Sequence, residues 1–315
     1  MSPDPWIWAV FVGLVTLVLA LDLFVFHRHA HVVSMREAAT WSSVWVALAL
    51  AFGALVWIAL GPAAASAYLT GYLIEKSLSV DNIFVFALLF SAFAVPVTYQ
   101  HRVLFWGVIG AIVLRTAFIV AGAALLEHFH PVIYLFGALL VLTGLKMVFR
   151  QEDDPPASGG FALSLIRRFI PVSSAYHGQK FFVREAGRWL ATPLFAVLLA
   201  IETADVIFAV DSIPAIFAVT QELFLVLTAS TFAVLGLRAL YFLLAGMLYR
   251  FVYLKFGLAV ILVVVGTRML LSDLTGELPS WVSLVVIASV LAISIVASLW
   301  ASARGQTPRR TLYNE

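Results

Sequence analysis

Apolar stretches of about 20 residues, returning between short polar breaks, constrain this chain more than any single motif. A bilayer's hydrocarbon core is roughly 30 Å thick and takes about 20 apolar residues to cross as a helix. Runs of that size occur at approximately 6–26, 41–60, 71–94, 103–126, 131–149, 193–219, 224–249, 251–271 and 279–300. They predict an all-α polytopic membrane protein with about nine transmembrane helices. Composition points the same way: 63% of residues are hydrophobic and 11% charged, against roughly half and a quarter in a soluble domain. The absence of cysteine excludes disulfides, thiolate metal sites, iron–sulfur clusters and thiol nucleophiles. A formal net charge of +2 gives no reason to expect nucleic acid as a partner. The lipid bilayer is the expected partner.

The first run follows Met1-Ser2-Pro3-Asp4-Pro5 with no basic residue ahead of it, and it is long enough to cross the membrane. It reads as a retained helix rather than a secretion signal. Lys and Arg between the runs then set the orientation, because short cytoplasmic loops are enriched in them. Arg28 and Arg36 follow the first run, Arg102 the third, and Arg150, Arg167, Arg168, Lys180, Arg184 and Arg188 the fifth; Arg250 and Lys255 flank the seventh break, and Arg304, Arg309 and Arg310 close the chain. The alternate loops carry Glu127, Gln221, Glu222, Asp273 and Glu277 and no Lys or Arg. The alternation places the N-terminus outside and the C-terminus in the cytoplasm, and requires an odd number of spans.

The long polar segment, about 150–190, is therefore expected in the cytoplasm. Gln151 to Gly160 reads as a linker, Phe161 to Val172 as an amphipathic stretch in a solvated basic loop, and Lys180 to Glu185 alternates like a short strand. This segment is where membrane or cytoplasmic protein partners would bind.

Internal similarity divides the chain further. Glu75-Lys76-Ser77-Leu78-Ser79-Val80-Asp81-Asn82-Ile83 and Asp205-Val206-Ile207-Phe208-Ala209-Val210-Asp211-Ser212-Ile213 both read acid, five residues, Asp, small polar residue, Ile. Leu114-Arg115 with Gly122 parallels Leu237-Arg238 with Gly246; Phe136-Gly137, Gly144 and Lys146-Met147 parallel Phe256-Gly257, Gly266 and Arg268-Met269. The predicted division is 1–70, a first three-helix repeat at 71–149, a loop at 150–190, a second, inverted repeat at 191–271, and a last span with a basic tail at 272–315. Inverted repeats meeting at a midplane site characterise secondary transporters.

Ionisable groups inside the hydrocarbon are costly and therefore mark candidate sites. The acids are Asp22, Glu75, Asp81, Glu202, Asp205 and Asp211; the bases, expected as charge partners, are Lys76, Arg115 and Arg238. The negative surplus suits cations or protons rather than an anionic substrate. Glu75, Ser79 and Asn82 share one helical face, as do Asp205, Ala209 and Ser212, with Glu202 one turn earlier. Pro214 is expected to break its helix beside Asp211 and bring that residue to the Asp205 site. Hard oxygen donors without thiolates or a dense histidine cluster suit Mg, Ca or Mn. The expected ligands are Asp81, Asp205 and Asp211, supported by Glu75, Asn82, Glu202, Ser212 and Asp22; the metal is cargo, and no resident cofactor or enzymatic centre is expected. No Walker motif is present, leaving an ion gradient as the simplest driver.

The runs Ala20 to Arg28, Glu75 to Asn82, Asp205 to Phe217 and Tyr176 to Phe182 resemble the TerC/Alx integral membrane family, over nearly the whole chain from Asp22 to about Met269. The resemblance implies a bacterial inner-membrane protein of the wider LysE-like transporter group. Manganese export is tied to several members and tellurite resistance to the family's name. It also implies a competing reading, membrane-protein assembly or a stress complex acting through the cytoplasmic loop, from chloroplast relatives. Tellurite is an anion, so the negative surplus makes its direct transport the less physical option.

Overall fold

A computed structural model describes residues 4–21, 33–129, 131–149, 173, 175–185, 188–244, 253–271 and 280–303. Within them the helices are α1 (Pro5–Leu21), α2 (Met35–Leu60), α3 (Pro62–Ala92), α4 (Val97–His128), α5 (Val132–Phe149), α6 (Pro193–Phe217), α7 (Leu223–Leu235), α8 (Leu237–Leu244), α9 (Leu254–Leu270) and α10 (Ser280–Ala303). A hairpin of β1 (Phe182–Glu185) and β2 (Arg188–Ala191) precedes α6. The expected strand around Lys180 to Glu185 is thus present and pairs antiparallel with the next. Asp22, the linker at 151–160 and the amphipathic stretch Phe161 to Val172 lie outside the described residues.

Local chemistry accounts for the helix boundaries. Ser34 caps α2 by accepting a hydrogen bond from the Glu37 amide at 3.2 Å, the first half of a Ser-x-x-Glu capping box. Gly61, at φ +88°, then turns the chain within a single residue, where a side chain would be strained. Pro62 starts α3 at once, since its missing N–H is no loss in a first turn. For this reason α3 begins nine residues before the apolar run at 71.

Among the described residues, four helices, Met35–Leu60, Val97–His128, Pro193–Phe217 and Trp281–Ala301, are long and apolar enough to cross a membrane, and α7 with α8 makes a fifth as one span bent by 41°. Pro5–Ala20, Val132–Val148 and Phe256–Leu270 are apolar but shorter. Outward faces are greasy, with Ile58 84% and Ile293 69% exposed, as lipid contact requires.

Helix α3 runs through the middle, against α2, α6, α7 and α10, while α4 lies on α6 and α7. Aromatic rings lock α1, α2 and α7 together: Trp8 meets Phe224 at 4.9 Å and Phe52 meets Phe232 at 4.8 Å. Helices α5 and α9 approach each other closely. A Cβ on Gly266 would lie 2.7 Å from the Gly137 carbonyl oxygen, and one on Gly144 would lie 2.8 Å from that of Ala259. The two helices therefore cross antiparallel, backbone against backbone, as small residues allow in lipid.

Two expectations about helix breaks are corrected. Helix α6 passes through Pro214 unbroken to Phe217. The ring forfeits only the bond to the Val210 carbonyl, in the last turn, and the segment Ser212 to Phe217 is held by burial. The interruption falls instead at Gly236, between α7 and α8, inside the run expected at 224–249.

Gly266→Val should destabilise the protein by about 1–3 kcal/mol, whereas Gly13→Val, where nothing lies within 4 Å, should be close to neutral. Unfolding of the purified protein in detergent by added dodecyl sulfate checks both.

Candidate functional site

The two predicted polar stripes face one another. On α3, Glu75, Ser79 and Asn82 are 0%, 1% and 2% exposed; on α6, Asp205 and Ser212 are each 2% exposed. Arg115 of α4 enters between them and is itself buried. Its Nη2 and Nε donate to the two Asp205 carboxylate oxygens at 2.9 and 3.1 Å, a two-pronged fork. Its Nη1 donates to Glu75 Oε2 at 2.5 Å and to Ser212 Oγ at 3.3 Å. From α7, Ser230 donates to the other Glu75 oxygen at 3.2 Å. Four helices thus meet at one guanidinium, whose planar donors match carboxylates in a way an ammonium cannot. The cluster of two carboxylates and one guanidinium carries a formal charge of −1, the local form of the acid surplus in the sequence.

The remaining candidates lie around this centre. Glu202 lies one turn before Asp205 with its carboxylate against Gly110 of α4, where a Cβ would come within 2.1 Å of Oε1. Asp211 is half-buried and accepts a hydrogen bond from Thr143 of α5 at 3.0 Å; with α6 unbroken, it sits on a different face from Asp205. Asp81 belongs to α3, but its side chain is outside the description. Lys76 reaches the α7–α8 bend, where a Cβ on Gly236 would lie 2.7 Å from Nζ. Arg238, in the first turn of α8, shares a small cavity wall with Asp205, Phe86 and Gly107. The structure joins one of the expected charge partners, Arg115, to both Glu75 and Asp205.

Among the described residues, no three His, Asp or Glu side chains gather closely enough to hold a metal. The groups that converge are two carboxylates, two serine hydroxyls and the arginine. Ser230 and Thr143 were not singled out from sequence, because a hydroxyl in an apolar helix usually bonds its own backbone, as Ser79 does to the Glu75 carbonyl at 2.7 Å.

Apolar helices with lipid-facing exteriors, crossing at a buried ionic cluster, define a polytopic helical membrane protein. Residues 60–306 match the integral membrane protein TerC family, and the chain belongs to that family. It is 53% identical to the membrane protein STKORF319 of Myxococcus xanthus, across 96% of this chain and 95% of that one. It is 46% identical to a protein of Escherichia coli (strain K12) named membrane-bound redox modulator Alx, across 97% and 98% of the two chains. A membrane protein of Rickettsia bellii is 36% identical across 93% and 96%. No solved structure matches the chain significantly.

Removing one member of a buried ion pair leaves the others uncompensated, at a cost of about 3–5 kcal/mol. Arg115→Ala should lose stability on that scale in the dodecyl sulfate titration. Arg115→Lys, which keeps the charge without the fork, should fall between it and the wild type.

Proposed function

We propose that the chain is a secondary transporter that exports a divalent cation, Mn²⁺, across the bacterial inner membrane in exchange for protons. The observation that carries this reading is the meeting of Glu75 and Asp205, the corresponding acids of the two similar segments, at a single buried arginine. A scaffold has no need to place matched acids from two halves at one point inside the hydrocarbon.

The packing supports the repeat on which the reading depends. Helix α3 lies on α7 while α4 lies on α6, a reciprocal exchange between first and second members. The close contacts of α5 with α9 reciprocate as well: Gly144 meets Ala259 and Gly137 meets Gly266. Gly266, the sequence match of Gly144, follows it by 122 residues, and Ala259 follows Gly137 by the same number, two residues past its sequence match Gly257. An inverted pair of repeats produces such a two-fold pattern, each contact having a mirror partner. The reading keeps the N-terminus outside and the C-terminus in the cytoplasm.

In this mechanism Arg115 stands in for the cargo. It pairs with both Glu75 and Asp205 while no metal is bound, cutting their formal charge from −2 to −1, and so closes the site to leak. A divalent cation competes for the same carboxylates, with hydroxyl and amide oxygens of Ser212, Ser230 and Asn82 as neutral donors. The exchanged protons move in the opposite direction along the same acid-lined path. The reading also assigns ligand roles to Asp211 and Glu202 and, from the sequence alone, to Asp81 and Asp22. The redox role in the name of the Alx relatives cannot run through thiols here, since the chain has no cysteine; tellurite resistance would follow indirectly from altered metal balance.

Cells lacking their own manganese exporters test the reading. Wild-type protein should lower intracellular manganese under manganese load, measured by mass spectrometry, while Asp205→Asn and Asp211→Asn at equal abundance should leave it at the level of empty cells. Equal manganese in all strains contradicts export.

A further inference from the structure

The loop before α6 holds three metal-ligating atoms at one point, outside the membrane-spanning helices and unused by the transport reading. His177 Nε2 lies 2.9 Å from Glu185 Oε1. Ser173 Oγ lies 3.1 Å from His177 Nε2 and 3.1 Å from the same Glu185 oxygen. The three atoms form a nearly equilateral triangle. Without a metal, the Ser173 hydroxyl and an Nε2–H can both donate to the shared Glu185 oxygen. The same triangle has the dimensions of half a coordination shell. Three ligands on one face of an octahedron, each about 2.1 Å from a central ion, stand about 3.0 Å apart.

The backbone holds this triangle ready. Glu185 ends β1, in register with Arg188 of β2, and the Ser173 amide donates to the Ala191 carbonyl on β2 at 2.8 Å. Gly178, at φ +59°, turns the chain directly after His177. Tyr176 anchors the loop by donating its hydroxyl to the Phe93 carbonyl beyond the end of α3, at 2.7 Å. Arg102 of α4 stands 5.2 Å over the Phe181 ring. Ser173 is buried, whereas the side chains of His177 and Glu185 are 36% and 43% exposed, which leaves the opposite face open to water ligands. Lys180, Arg184 and Arg188 share this hairpin, so diffuse negative charge would not gather cations here. Attraction would have to come from direct coordination.

We propose that Ser173, His177 and Glu185 form a divalent metal site separate from the intramembrane acids. One imidazole nitrogen with oxygen donors selects a first-row transition ion over Mg²⁺ or Ca²⁺. Occupation ties the 173–177 loop to the β-hairpin and, through Tyr176, to the α3–α4 turn. The site therefore reads the ion where the loop meets the helical core. Its existence does not depend on export.

Full-length protein in detergent micelles, stripped with chelator and loaded with MnCl₂, tests the proposal by pulsed electron paramagnetic resonance. The bound Mn²⁺ should show ¹⁴N modulation from one imidazole, and Asp205→Asn should retain it. His177→Gln should abolish the modulation, and Glu185→Gln should weaken binding roughly tenfold or more. Absence of ¹⁴N modulation in the wild type, or its persistence in His177→Gln, overturns the site.

Discussion

A guanidinium fork buried at the crossing of four helices is the interaction on which the rest of this structure depends. An arginine in hydrocarbon has no water to fall back on, so Arg115 depends on the oxygens its neighbours supply. Asp205 supplies two, Glu75 and Ser212 one each. This requirement draws α3 and α6 onto α4, and Ser230 brings in α7 by satisfying the remaining Glu75 oxygen. The apolar packing around the cluster sets how closely the helices approach, whereas the polar contacts select which faces meet.

The same cluster joins stability to the proposed transport. In that proposal, the arginine that makes the two acids tolerable inside the membrane also withholds them from a cation. A site of this kind can be bistable: one arrangement satisfied by the internal charge, the other by cargo and a relocated arginine. The antiparallel glycine contacts of α5 and α9 bind the third members of the two halves without polar groups, so they can act as a pivot that the exchange of ions does not disturb. The bend at Gly236, with Lys76 close against it, places a break in one half only.

Much of this was legible in the sequence because lipid imposes simple rules. The length of the apolar runs marked the helices, and the i, i+4, i+7 spacing from Glu75 and the matching spacing from Asp205 marked the faces that are buried. The acid surplus marked the place where Arg115 is held. Less was legible where a backbone feature had more than one outcome. Pro214 carried a real helix-breaking signal, but so near the end of α6 its missing bond matters little. Gly236 carried a weak signal and became the bend. The placement of Asp211 against Thr143 depends on how α5 is rotated beside α6, which residue spacing within one helix does not encode. The triangle at Ser173, His177 and Glu185 joins residues through a hairpin, beyond the reach of a local motif.

Flux through purified protein bears most directly on the claim that the arginine-held acids carry a cation. In proteoliposomes containing a manganese-sensitive dye and an imposed pH gradient, the wild type should move Mn²⁺ faster than protein-free vesicles. The Glu75→Gln, Asp205→Asn double variant should not. Wild-type flux no faster than that of empty vesicles, or equal flux in the double variant, would contradict the account.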